Sequence, residues 1–170
     1  MSVAAITHAP ARLLPRSVPA DALLHPLALT ALVLLILNDH LLKDVAPGPL
    51  TGKLSDVAGL VVLPLIVLGA WELAMASLGR WFGPARPALI GAIALAGAAF
   101  AAIKLSGDGA EIYRVGMGLA RWPIDAFLAA GGGAPPPEPG RVRLVQDVSD
   151  MICLPALLLA WHVGHRRLGR

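Results

Sequence analysis

A single cysteine, one tyrosine and three phenylalanines among 170 residues already remove several classes of protein. With Cys153 alone, the chain has no intramolecular disulfide and satisfies no multi-cysteine zinc pattern. Cys153 lies in an apolar stretch and reads as a small buried hydrophobe. Charge is scarce as well: Asp, Glu, Lys and Arg make up 15% of the chain, against about 25% in ordinary soluble domains. The net charge of +3 comes from dispersed residues, with no Lys/Arg cluster interleaved with aromatics, so the sequence does not support nucleic acid as a partner. Enzyme signatures are missing too. There is no Gly-x-Ser-x-Gly elbow, no His-Glu-x-x-His, no P-loop and no dinucleotide fingerprint. The sequence therefore offers no nucleophile and calls for no cofactor.

What is plentiful is aliphatic. The chain is 56% hydrophobic with a mean hydropathy of +0.70, far too apolar for the polar surface available. Its apolar mass falls in four runs: Leu27–Leu37, Val57–Trp71, Ala88–Ile103 and Met151–Trp161. None reaches the roughly 20 residues that cross a bilayer core. Leu27–Leu37, at about 1.5 Å per residue, covers only about 16 Å. To span, each run must draw its polar flanks into or against the membrane, where ionisable side chains are costly and suggest function.

These patterns predict an all-α protein, a four-transmembrane-helix bundle. Span one is expected over Ala22–Leu42, with Pro26 in its first turns, and a turn at Ala46-Pro47-Gly48-Pro49 then reverses the chain. Span two is expected over Thr51–Met75, kinked at Pro64. Span three, Ala88–Leu105, carries Ala94, Ala98 and Ala102 four apart, as are Gly97 and Ala101. Small residues so spaced favour close helix approach and make it the expected central packing helix. Span four is expected over Asp147–His165. The long connection Ser106–Gln146 exceeds ordinary loop lengths. Its Ile112–Ala130 part reads as an interfacial amphipathic helix, followed by a flexible-then-stiff linker at 131–137. Residues 1–21 read as a disordered tail and 166–170 as a basic tail, flanking a membrane domain over 22–165.

Lys and Arg divide equally between the two sides, but Arg80, Arg86, Arg166, Arg167 and Arg170 hug span ends on one of them. The rule that weights such residues puts both termini in the cytoplasm. The polar interruptions of all four spans then fall together on the extracytoplasmic side. The candidate binding residues are Asn38, Asp39, His40, Lys43, Lys53, Asp56, Lys104, Asp147 and Asp150, centred on Asp39, His40, Lys53, Asp56 and Asp150.

Two of these acids sit in a weak repeat. Leu54-Ser55-Asp56-Val57-Ala58-Gly59-Leu60 aligns without gaps to Val148-Ser149-Asp150-Met151-Ile152-Cys153-Leu154, with a proline further along each segment. Helix capping accounts for Asp147 and Ser149 as readily as ligand binding does. Asp56 is too far inside its helix for that role. Spacing also allows the pairs Asp39–Lys43, His40–Asp44 and Lys53–Asp56. His40, Asp39, Asp56 and Asp150 are a mixed donor set for a divalent ion, but the neighbouring lysines compete for the same carboxylates, and no metal site is assigned. Glu72 reads as a lone, water-facing cytoplasmic acid near Arg80.

At Asn38-Asp39-His40-Leu41-Leu42-Lys43, Thr51-Gly52-Lys53-Leu54-Ser55-Asp56-Val57-Ala58-Gly59-Leu60 and Asp147–Pro155 the chain resembles a group of small, uncharacterised bacterial multi-pass membrane proteins. The resemblance implies a bacterial inner membrane and no activity; span three and the long loop lie outside it. Three functions stay open: binding or passage of an ion, proton or small polar solute; a non-catalytic scaffold or accessory subunit, in which the charges lock helix ends together; and a lipid head-group hydrolase or transferase. Membrane lipid is the expected partner, with other membrane proteins or a second copy of the chain as further ones.

Overall fold

A computed structural model describes residues 18–46, 48–80 and 85–168. Most of the N-terminal tail, Pro47, Trp81 and the last two residues of the basic tail lie outside the described residues. The described chain is all-helical. A 3-10 turn, Asp21–Leu24, precedes five helices: α1 Pro26–Val45, α2 Pro49–Ser77, α3 Arg86–Leu105, α4 Gly107–Gly131 and α5 Val148–Leu168. Helices α1, α2, α3 and α5, of 20, 29, 20 and 21 residues, are long and apolar enough to cross a membrane. The chain is a multi-pass membrane protein, as its composition predicts.

Helix boundaries follow local chemistry. Pro26 opens α1 at its first position instead of lying inside it, and the His25 imidazole accepts a hydrogen bond from the Leu27 amide at 3.2 Å. Helix α2 opens on Pro49, where the Thr51 hydroxyl accepts from the Gly48 amide at 3.1 Å and donates back to the Gly48 carbonyl at 2.8 Å. Past its C-terminus Gly79 adopts φ +65°. The Arg80 amide then donates to the Met75 carbonyl at 2.9 Å and the Gly79 amide to Ala76 at 3.0 Å, the crossed pair of a Schellman stop.

Two helices depart from plain α geometry. Residues Asn38–Leu42 of α1 form a π-helical turn, and Val148–Ala156 of α5 form a nine-residue 3-10 segment before α geometry resumes at Leu157. Both irregular stretches are rare at such lengths and gather at functional or strained positions. Here both carry the polar residues of the predicted cluster.

The centre of the bundle is α2, not α3. Half of the apolar window of α2 is buried, against 28% for α3, and α2 packs against α1, α3 and α5. The core runs along it: Leu60, Val61 and Val62 meet Ala31, Cys153 and Ala156; Leu65 meets Ala28, Ala160 and Val163; Leu68 meets Leu89 and Ala92. On α3 the buried small residues are Ala92 and Ala96, whereas Ala94, Ala98 and Ala102 face outward. The spacing rule picked the right kind of residue and the wrong face. Gly97 does serve close approach, facing the Leu157 side chain of α5.

Candidate functional site

The antiparallel course of the helices brings the C-terminal ends of α1 and α3 to the N-terminal ends of α2 and α5. Three of these helices meet at Lys104. Its ammonium group, on a side chain 7% exposed, contacts Asp150 Oδ2 of α5 at 2.5 Å and Asp56 Oδ2 of α2 at 2.8 Å. The Phe100 ring, one turn back on α3, lies 5.5 Å from the same nitrogen, within range of a cation–π contact. Lys53 of α2 reaches across to the other oxygen of Asp150 at 2.8 Å, to the Ser149 hydroxyl at 2.7 Å and to Asp147 at 3.8 Å. A chain of alternating charge results: Lys53, Asp150, Lys104, Asp56.

The repeat-related acids Asp56 and Asp150 thus share one lysine, and that lysine comes from a span outside the repeat. Their backbones differ. Asp56 lies about two turns inside α2, too deep to cap it, while Asp150 sits in the 3-10 start of α5. Asp147 is the cap of that start, accepting from the Ser149 amide at 2.8 Å. That hydrogen bond holds its carboxyl below the ordinary range, because it stabilises the ionised form. The Lys53–Asp56 pair is not made, since Lys53 turns to α5.

A second set joins α1 to α2. The Asn38 amide nitrogen donates to the Thr51 carbonyl at 2.7 Å and the Ser55 hydroxyl at 2.6 Å; Ser55 donates to Asp39 at 2.5 Å; Lys43 pairs with Asp39 at 2.7 Å. Asn38 is fully buried in the π-turn, and its Oδ1 has no donor among the described residues. His40 and Asp44 are exposed, and neither side chain makes a hydrogen bond or ion pair among the described residues. His40 therefore does not join the centre. The mixed His40, Asp39, Asp56 and Asp150 set is not assembled, and among the described residues no group of three or more His, Cys, Asp and Glu side chains is arranged to hold a metal ion.

Sequence reasoning missed Thr51, whose carbonyl accepts from Asn38, and Ser55, whose hydroxyl links Asn38 to Asp39. Ser149, weighed as a helix cap, instead accepts from Lys53 through its hydroxyl, and the cap is Asp147. Sequence reasoning also misassigned Glu72. This side chain is 1% exposed; it receives the Ala20 amide at 2.8 Å and Arg167 Nη1 at 2.9 Å. Arg167 additionally pairs with Asp21. Glu72 is thus a buried member of a clasp at the opposite end of the bundle, and Arg80 is not its partner. Cys153 is a buried core residue, its thiol 3.7 Å from the Lys53 carbonyl.

No family model matches the chain, and neither a curated protein nor a solved structure matches it. The fold and the charged centre define a class, the four-span helical membrane proteins with an ion-paired core at one end of the bundle, and functional argument rests on that centre.

Proposed function

We propose that this is a bacterial inner-membrane protein, with both termini in the cytoplasm, that binds and passes a proton or small cation at the Lys53–Asp150–Lys104–Asp56 centre on its extracytoplasmic side. One observation carries the reading: three carboxylates, Asp56, Asp147 and Asp150, share two ammonium groups within 4 Å. With all five ionised, the set holds one negative charge more than its partners neutralise. The excess lies at Asp147, whose side chain is 47% exposed beside the more buried, balanced four, so a proton or monovalent cation entering from solvent meets a net negative site. The arginines at the ends of spans support the orientation, and the resemblance to small bacterial membrane proteins supports the location.

The test is flux. Purified protein in liposomes loaded with a pH-sensitive dye is given a potassium diffusion potential, with and without sodium outside. Proton or sodium-dependent movement above that of empty vesicles is expected. Asp56→Asn and Asp150→Asn should insert at near wild-type yield and lower the flux at least tenfold. Wild-type protein no more active than empty vesicles, with both variants and Lys53→Met losing equal melting temperature, would sink the proposal.

That second outcome defines the other reading, an accessory subunit whose charges lock helix ends. It draws on a specific observation: Glu72, Arg167 and Asp21 build a clasp of the same kind at the other end of the bundle. A lipid head-group hydrolase draws on none, because no group in the centre is set up as a nucleophile.

A further inference from the structure

A single residue, Ser106, separates α3 from α4, and its hydroxyl accepts from the Gly109 amide at 2.9 Å. Along α4, Glu111, Arg114, Gly118, Arg121 and Asp125 are spaced three and four apart and share a face. That face is covered. The extended segment 134–146 runs back along it: Arg141 pairs with Glu111 at 2.9 Å, the Val142 amide donates to the Arg114 carbonyl at 3.1 Å, and the Trp122 indole donates to the Pro137 carbonyl at 2.5 Å. Gly118 and Gly140 meet backbone to backbone, and Gln146 ties the end of the segment to the Ile103 and Ser106 carbonyls. The apolar face is left open, with Ile112, Leu119, Ile124, Phe127 and Leu128 all exposed.

What covers that face follows from where α4 starts. Its first turn is tied to the end of a membrane span, so the nearest apolar medium is the bilayer itself. Tethering at that distance corresponds to effective concentrations of order mM or more. A helix with its polar face already occupied and its apolar face free buries the latter at the boundary of head groups and acyl chains.

Between α4 and the returning segment lies a cleft of about 260 Å³, lined in part by Arg121, Trp122, Asp125, Glu138, Arg141 and Arg143. Arg121 pairs with Asp125 at 3.1 Å, and Arg141 pairs with Glu111, which Arg114 also approaches at 3.7 Å. That leaves Arg143 and Glu138, one cation and one anion in the same cleft, with no ion-pair partner among the described residues. An arginine selects phosphate oxygens through paired N–H donors. A carboxylate selects an ammonium that can donate hydrogen bonds. We propose that this cleft binds the head group of a zwitterionic phospholipid bearing a primary amine, with phosphate at Arg143 and ammonium at Glu138, while the apolar face of α4 rests among the acyl chains of the same leaflet. The site is independent of the Lys104 centre.

Full-length protein with Trp71, Trp81 and Trp161 changed to Phe leaves Trp122 as the only tryptophan, excited selectively at wavelengths beyond those that tyrosine absorbs. It is placed in phosphatidylcholine nanodiscs containing one-tenth of a lipid with brominated chains, either phosphatidylethanolamine, phosphatidylglycerol or phosphatidylcholine. Quenching by the ethanolamine lipid is expected to exceed the other two at least threefold. Glu138→Gln should remove the preference over phosphatidylcholine, and Arg143→Gln should lower ethanolamine-lipid quenching at least threefold. Equal quenching by all three lipids overturns the site on unmodified residues of the cleft, and stronger quenching by phosphatidylglycerol replaces it with a simple basic patch. A preference unchanged by both substitutions also overturns it, as does equal displacement by millimolar soluble phosphoethanolamine, which would remove the membrane from the recognition.

Discussion

At Lys104 a single ammonium group receives two carboxylates from different helices, and the same side chain is nearly closed off from solvent. Residues at this depth are energetically tied: removing one member of a buried pair leaves the other uncompensated, at a cost of about 3–5 kcal/mol. Glu72 at the opposite end obeys the same logic in simpler form, because it serves no candidate site. We expect Glu72→Gln to lower the unfolding free energy by about 3 kcal/mol, measured as a fall in melting temperature in micelles, with flux through the bundle unchanged once the protein is folded. A Glu72→Gln protein as stable as wild type would mean that the Arg167–Asp21 pair alone fastens α5. The acids were legible as residues: Asp56 and Asp150 stand out because charge is rare in such apolar surroundings. Their partners were not. Nothing in the spacing of Lys104 relates it to either acid, and Lys53 prefers a residue almost a hundred positions away to the Asp56 three positions on.

Elements were the most readable level. Twenty-odd apolar residues bounded by proline, glycine and polar groups specify a spanning helix through backbone self-satisfaction in lipid, and all four emerged within a few residues of the expected ends. Which face of each helix is inward was less readable, because apolar residues surround these helices on every side and lipid is as apolar as a neighbouring helix. The outward row Ala94, Ala98 and Ala102 shows the consequence. Helix α4 reverses the problem: its charged residues mark one face clearly, yet no pattern in the chain indicates that segment 134–146, which reads as a linker only as far as 137, covers that face. Gly118 tests that contact. A Cβ there would collide with the carbonyl oxygen of Gly140, whereas one at Gly116 meets nothing within 4 Å. Gly118→Ala should therefore free the returning segment and speed tryptic cleavage after Arg141 and Arg143 several-fold, with the bundle's melting temperature little changed. Gly116→Ala should match wild type. Equal cleavage rates in the two variants would show that the segment does not depend on this close approach.

Across the whole molecule, the two charged groupings sit at opposite ends of one bundle, so orientation decides which solution each one meets. Cysteines placed at Gly48 and Ser77, in a protein whose own Cys153 is buried, report this directly. With both termini cytoplasmic, a membrane-impermeant maleimide added to intact cells should label position 48 and spare position 77. The reverse pattern would put the Lys104 centre in the cytoplasm and α4 on the inner leaflet. Hydropathy, proline and glycine placement and the rarity of charge settled the number of spans, their approximate ends and the end of the bundle where the ionisable groups gather, since each of these depends on the solvent that a local segment prefers. Docking of the helices chose α2 as the centre, gave Asp56 and Asp150 their common lysine, left His40 outside and built the Glu72 clasp. Those outcomes depend on side chains from distant segments meeting within about 3 Å, and the limited length of the apolar runs carries no information on which of them do.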